Sequence, residues 1–234
     1  MFASPREALV LKGGEHDAGN MADACELLAA LTAVVPTDAV AWLESQRARI
    51  VGGDTRVLFL AIGQAGRQVG RMPVAHPIGW TSDQVARALL VLALPSKPAA
   101  AWLATLDRIF HAGTVDELVA LYQALSLYPH PPLLVARAAE GVRSNMRPVF
   151  EAVALNNPFP TAHLEDAAWN QMVLKCFFLG ADVDRVIGID QRCNPELGRM
   201  LADYARERRV AGRSVDVRLP PLARACGAEC SDQP

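Results

Sequence analysis

The feature that most constrains this chain is a succession of helix-length segments, each apolar at the helical period and each stopped by proline or glycine. Met21 to Val35 ends at Pro36, and Thr37-Asp38 opens a segment whose Val40, Leu43, Arg47 and Ile50 form one stripe. Asp54 caps a third helix that runs to about Gly70. Arg71 to Trp80, with Pro73 and Pro77, reads as a loop before Thr81-Ser82 opens a helix through Leu94. Pro98 suits a first helical turn, and Thr114-x-x-Glu117 is a capping box. Two further runs flank Arg143-Ser144-Asn145; Leu164 to Leu179 is closed by Gly180, and Asn194-Pro195 opens a last long helix ended by Gly212. No stretch alternates apolar and polar residues long enough for a strand. The expectation is all-α: stacked antiparallel helix pairs, either a HEAT/armadillo-like solenoid or a compact irregular helical bundle. Residues 1–20 read as a poorly ordered leader, 21–226 as a single helical domain and 227–234 as a tail.

Composition narrows the partners. Of 234 residues 51% are hydrophobic and 21% charged, with a net charge of −2, so no basic surface invites nucleic acid or an anionic membrane. The longest apolar runs fall well below the roughly 20 residues of a membrane span. Residues 1–20 hold no signal-like apolar stretch and carry Glu7, Glu15 and Asp17, which places the expected site of action in the cytoplasm. Five scattered cysteines (Cys25, Cys176, Cys193, Cys226, Cys230) then read as reduced thiols rather than a disulfide framework. Neither they nor the dispersed histidines show metal-ligand spacing, and no cofactor is expected.

The residues from Asn145 onward have a more specific character. Asn156-Asn157-Pro158-Phe159-Pro160 leads into Trp169-Asn170-Gln171-Met172-Val173-Leu174-Lys175. Next come Ile187-Gly188-Ile189-Asp190-Gln191-Arg192-Cys193-Asn194-Pro195 and Leu201-Ala202-Asp203-Tyr204-Ala205-Arg206-Glu207-Arg208. These four blocks, in this order, resemble the EboA family across roughly residues 142–213. Ile189 stands where leucine is usual, Arg206 where histidine is common and Arg209 where tryptophan is common, so no histidine or tryptophan role carries over to that helix. The resemblance implies a pathway setting: such proteins are encoded beside a UbiA-like prenyltransferase and a sugar-phosphate-cyclase-like enzyme, with TatD-like, xylose-isomerase-like and phosphatase-like proteins. A pathway that makes or moves a small metabolite toward the cell envelope fits that setting.

Within these blocks the helix around 167–179 is apolar in nearly every direction and carries one charge, Lys175, in a chain with only two other lysines. A buried ammonium must find a partner, so Lys175 is expected within reach of Asp190, Asp203 or Glu207. Asn170, Gln171, Lys175, Asp190, Arg192, Asp203 and Glu207 are the candidate ligand-binding residues. Asn156-Asn157-Pro158 and Asn194-Pro195 read as turn and cap chemistry. No nucleophile–base pair is recognisable, and Gly63, Gly66 and Gly70 fall in a helical run rather than a phosphate loop. Three functions are compatible: an accessory protein binding a metabolite or pathway enzyme, an enzyme acting on a phosphorylated or prenylated cyclitol-like substrate, or a protein scaffold.

Overall fold

The computed structural model describes residues 24–228. The expected leader at 1–20 lies outside them. Among the described residues the chain is all-α, with packed helix pairs and no strand beyond an isolated bridge between Pro73 and Thr81. The helices group into two compact units that divide after Leu134.

The first unit holds α1 (residues 24–32), α2 (Thr37–Val51), α3 (Thr55–Gln68), α4 (Ser82–Leu92), α5 (Ala99–Ala112) and α6 (Val115–Gln123). Local chemistry sets these boundaries. The Asp54 carboxylate accepts from the Val57 amide, and capping boxes join Thr81 to Gln84 and Thr114 to Glu117. The chain enters α2 directly after Pro36, so Asp38 lies in the first turn and its side chain accepts from the Ala39 amide. Helix α4 is the centre of the unit: it packs on α2, α3 and α6 and buries Val85, Ala88, Leu89, Leu90 and Val91. Its two charges, Asp83 and Arg87, are buried with it, each side chain only 4% exposed, and pair with each other at 2.5 Å. Arg87 Nε also donates to the Ile62 carbonyl, while Asp83 accepts from the Thr81 hydroxyl. The i, i+4 spacing lets one helix supply both charges to an otherwise apolar core.

The second unit begins within α7 (Pro131–Arg143), followed by α8 (Arg147–Ala154), α9 (Phe159–His163), α10 (Asp166–Leu179), α11 (Pro195–Val210) and α12 (Leu219–Ala225). Helix α10 packs on α8 and α11, and α11 on α12. Two of these helices depart from the sequence reading. The single turn of α9 falls between the Asn156-Asn157-Pro158 turn and Leu164, where no helix is expected from the sequence. Helix α12 lies past Gly212, where no element was expected: Leu219, Ala223 and Cys226 are buried and hold it on α11. That packing also corrects the reading of the cysteines. It brings the end of α12 back to the turn before α11, where Cys226 and Cys193 come to a Cα separation of 4.7 Å and are joined as a disulfide. Cys25 and Cys176 are free thiols, and Cys230 lies outside the described residues.

Candidate functional site

The four sequence blocks converge in the second unit around α10 and the turn that precedes α11. Helix α10 starts after Glu165 and ends at Gly180, whose φ of 63° is the left-handed conformation that closes a helix. Trp169, Asn170, Met172, Val173, Cys176 and Phe177 are buried, as the apolar sequence requires. Helix α10 is not buried all round, however. Ala167, Gln171 and Phe178 are exposed at helical spacing, Phe178 by 70%, so one stripe faces away from the core.

Lys175 lies at the edge of that stripe and is half-buried. Its ammonium donates to the Val142 carbonyl at 2.7 Å and the Ser144 carbonyl at 2.8 Å, and stands 4.8 Å from the centre of the Phe150 ring. The expected carboxylate partner is therefore corrected. The lysine reaches the C-terminal end of α7, where unpaired carbonyls and the negative end of the helix dipole attract a cation. Burial pushes its pKa below the ordinary lysine value. Asp190 is exposed and forms no hydrogen bond or ion pair among the described residues; Glu207 is exposed as well. Asp203 accepts from Arg199 and Arg206 in an exposed ladder along α11 that also contains Glu196, the solvated ion-paired face its spacing suggests.

Arg192 and Asn170 bind α10 to its surroundings. The Arg192 guanidinium donates through Nη1 to the carbonyls of Pro160, Thr161 and Leu164, and through Nη2 to Asp166 at 2.5 Å. Its carbon centre stands 4.9 Å over the Trp169 ring. Asn170 and Asn194 exchange side-chain amide hydrogen bonds in both directions, at 3.0 and 2.9 Å. Asn194 at the same time caps α11 by accepting from the Leu197 amide. Thr161 fixes the turn from the other side: its hydroxyl donates to the Ile187 carbonyl, and it lies so close to Gly188 that no Cβ fits there. Asn157 folds the preceding turn by accepting from the Phe159 amide and donating to the Ala152 carbonyl.

The candidate residues thus separate into groups rather than lining one site. Asn170 reaches Asn194 in the turn before α11, which also carries Arg192, whereas Lys175 reaches the end of α7. Gln171, Asp190 and Glu207 are exposed, and Asp203 belongs to the surface ladder. Asn194, read from sequence only as a cap, is the partner of Asn170; its place one residue after Cys193 and two after Arg192 gave no signal of that contact. The buried Asp83–Arg87 pair did carry a signal, because these are the only two charges in α4. Among the described residues no group of three His, Cys, Asp or Glu side chains is placed to hold a metal ion, and no helix is long and apolar enough to cross a membrane.

The family described as metabolite traffic protein EboA matches residues 24–223. The chain belongs to the EboA family. The match extends well beyond residues 142–213, so the amphipathic helices of the first unit are part of the same family pattern. No curated protein and no solved structure matches the chain. For an EboA protein, the geometry gives the most distinctive blocks a clear physical task. They bring together a tryptophan with an arginine, an asparagine with an asparagine, and a lysine with a helix end.

Proposed function

We propose that this chain is a non-catalytic accessory protein of a cytoplasmic pathway that makes or moves a small metabolite toward the cell envelope. It binds the metabolite or a pathway enzyme, such as a prenyltransferase or a sugar-phosphate-cyclase-like protein. The family description supports the traffic setting. The observation that supports the non-catalytic reading is that the polar groups the family blocks bring inward bind other protein groups, while the carboxylates of Asp190 and Glu207, free among the described residues, stand apart on the exposed surface. Asn170, Lys175, Arg192 and Asn194 each spend their donors on other protein groups. A general acid, base or nucleophile needs a free polar atom within reach of a substrate.

Native mass spectrometry of the protein purified from its own host tests this reading. A small molecule released on denaturation, or a pathway enzyme in fixed stoichiometry, is the expected result. Purified chain that carries neither and by itself converts a phosphorylated or prenylated cyclitol would overturn it in favour of an enzyme.

A further inference from the structure

Helix α12 has only seven residues, below the length at which a helix persists on its own. Its connection to α11 runs through residues 211–218, all exposed except the half-buried Val215. Three side chains of modest size, Leu219, Ala223 and Cys226, are buried, and a surface ion pair joins Arg218 to Asp184. The backbone of α12 lies flat on α11: a Cβ on Gly198 would stand 2.8 Å from the Cys226 carbonyl and 3.0 Å from that of Ala223. Gly198 thus lets the two backbones touch, and this contact, the buried Leu219 and Ala223 and the covalent bond to Cys193 together hold α12 on α11.

The two ends of that bond are held very differently. Cys193 lies between Arg192, anchored to the 160–166 segment, and Asn194, anchored to Asn170 and to the start of α11. Cys226 lies at the end of the short helix. Cleaving the bond leaves the Cys193 end fixed and removes the covalent restraint on the Cys226 end, so that a seven-residue helix is left with the Gly198 contact, Leu219, Ala223 and the exposed Arg218–Asp184 pair. We infer that the Cys193–Cys226 disulfide is a reversible redox latch that holds α12 over Gly198 of α11 and releases it on reduction.

The chemistry is thiol–disulfide exchange with a dithiol reductant. Its thiolate attacks the Cys193 sulfur, the more accessible of the two because Cys193 is half-buried and Cys226 is buried. The S–S bond breaks, Cys226 departs as a thiolate and takes a proton, and a mixed disulfide forms on Cys193. The second thiol of the reductant then displaces Cys193 as its thiol. Two electrons and two protons have passed to the protein, and the reductant is left as its own disulfide. Because Cys193 stays in place, the reverse exchange with a disulfide oxidant closes the latch again: a mixed disulfide forms on Cys193, the Cys226 thiolate displaces it, and the oxidant leaves as two thiols. The matched family span covers Cys193 and ends at residue 223, three residues before Cys226.

Hydrogen exchange by mass spectrometry on the full chain, air-oxidised and then treated with dithiothreitol, tests the inference. Peptide mapping of the oxidised protein should first show Cys193 linked to Cys226. On reduction the amides of Leu222, Cys226, Gly227 and Ala228, which donate within and just after α12, should exchange at least tenfold faster. Those of α10 and α11 should keep their rates. Cys226→Ser should show the fast rates with or without dithiothreitol. Unchanged α12 exchange on reduction, equal loosening throughout residues 147–228, or no Cys193–Cys226 peptide after oxidation would each overturn the latch.

Discussion

Replacing Lys175 by methionine should destabilise the protein by about 2 kcal/mol, within a range of about 1–3 kcal/mol. Methionine keeps an unbranched stem of similar length, so packing against Phe150 is largely retained and the loss isolates the ammonium. Two carbonyls lose a charged donor. Val142 is buried, so its carbonyl is stranded, and a hydrogen bond to a charged group is worth about 1.5–3 kcal/mol. The Ser144 carbonyl lies in a more open turn and recovers part of its loss from water. The contact with the Phe150 ring adds about 0.5–1 kcal/mol at a partly exposed site. The half-buried position of Lys175 places the sum at the lower end of what these figures allow. A lysine paired to a carboxylate would behave differently, because the stranded acid could protonate and the burial of a charge would be relieved. Urea unfolding of wild type and variant, compared at unchanged m value, measures the difference; a variant within about 0.5 kcal/mol of wild type would refute the carbonyl-capping account.

Two more outcomes follow from buried groups. Replacing Arg87 by methionine should cost about 3 kcal/mol by leaving the buried Asp83 carboxylate with only the Thr81 hydroxyl and the exposed Arg71 at 3.8 Å, and pairing it with Asp83→Leu should recover much of that loss; equal destabilisation by the single and double variants in urea would contradict this. Burial pushes the Cys176 thiol up to about 12, so at pH 8 it is almost wholly protonated and folded protein treated with iodoacetamide should be labelled at the exposed Cys25 but not at Cys176. Comparable labelling of both by peptide mapping would show that Cys176 is neither buried nor shifted.

The legible parts of the sequence were those settled by neighbours along the chain. Asp54, Thr114 with Glu117, Asn194 with Pro195, and Gly180 each mark a helix end through chemistry complete within a few residues. The Asp83–Arg87 pair was missed, although its i, i+4 spacing in an apolar helix is visible without a structure. What could not be read depends on contacts between distant segments. A backbone carbonyl has no side-chain signature, so the acceptors of Lys175 at Val142 and Ser144 were invisible while nearby carboxylates drew attention. Helix α12 was hidden because Pro220-Pro221 and a polar connector resemble a tail, although proline is well tolerated in a first helical turn. With α12 unread, the juxtaposition of Cys193 and Cys226, 33 residues apart, had no basis.

The reciprocal amide contact between Asn170 and Asn194 has an evolutionary consequence. Each asparagine offers the other one donor and one acceptor in a fixed orientation, and Asn194 is also bound to the Leu197 amide. Aspartate at either position would set two acceptors against each other, and leucine would strand the partner's amide beside an apolar side chain. The two positions therefore share a single fitness cost: a lineage that changes one must change the other within few steps or lose the junction between α10 and α11. Covariation of this pair, rather than the presence of either asparagine alone, is the trace that this junction should leave in descendants of the fold.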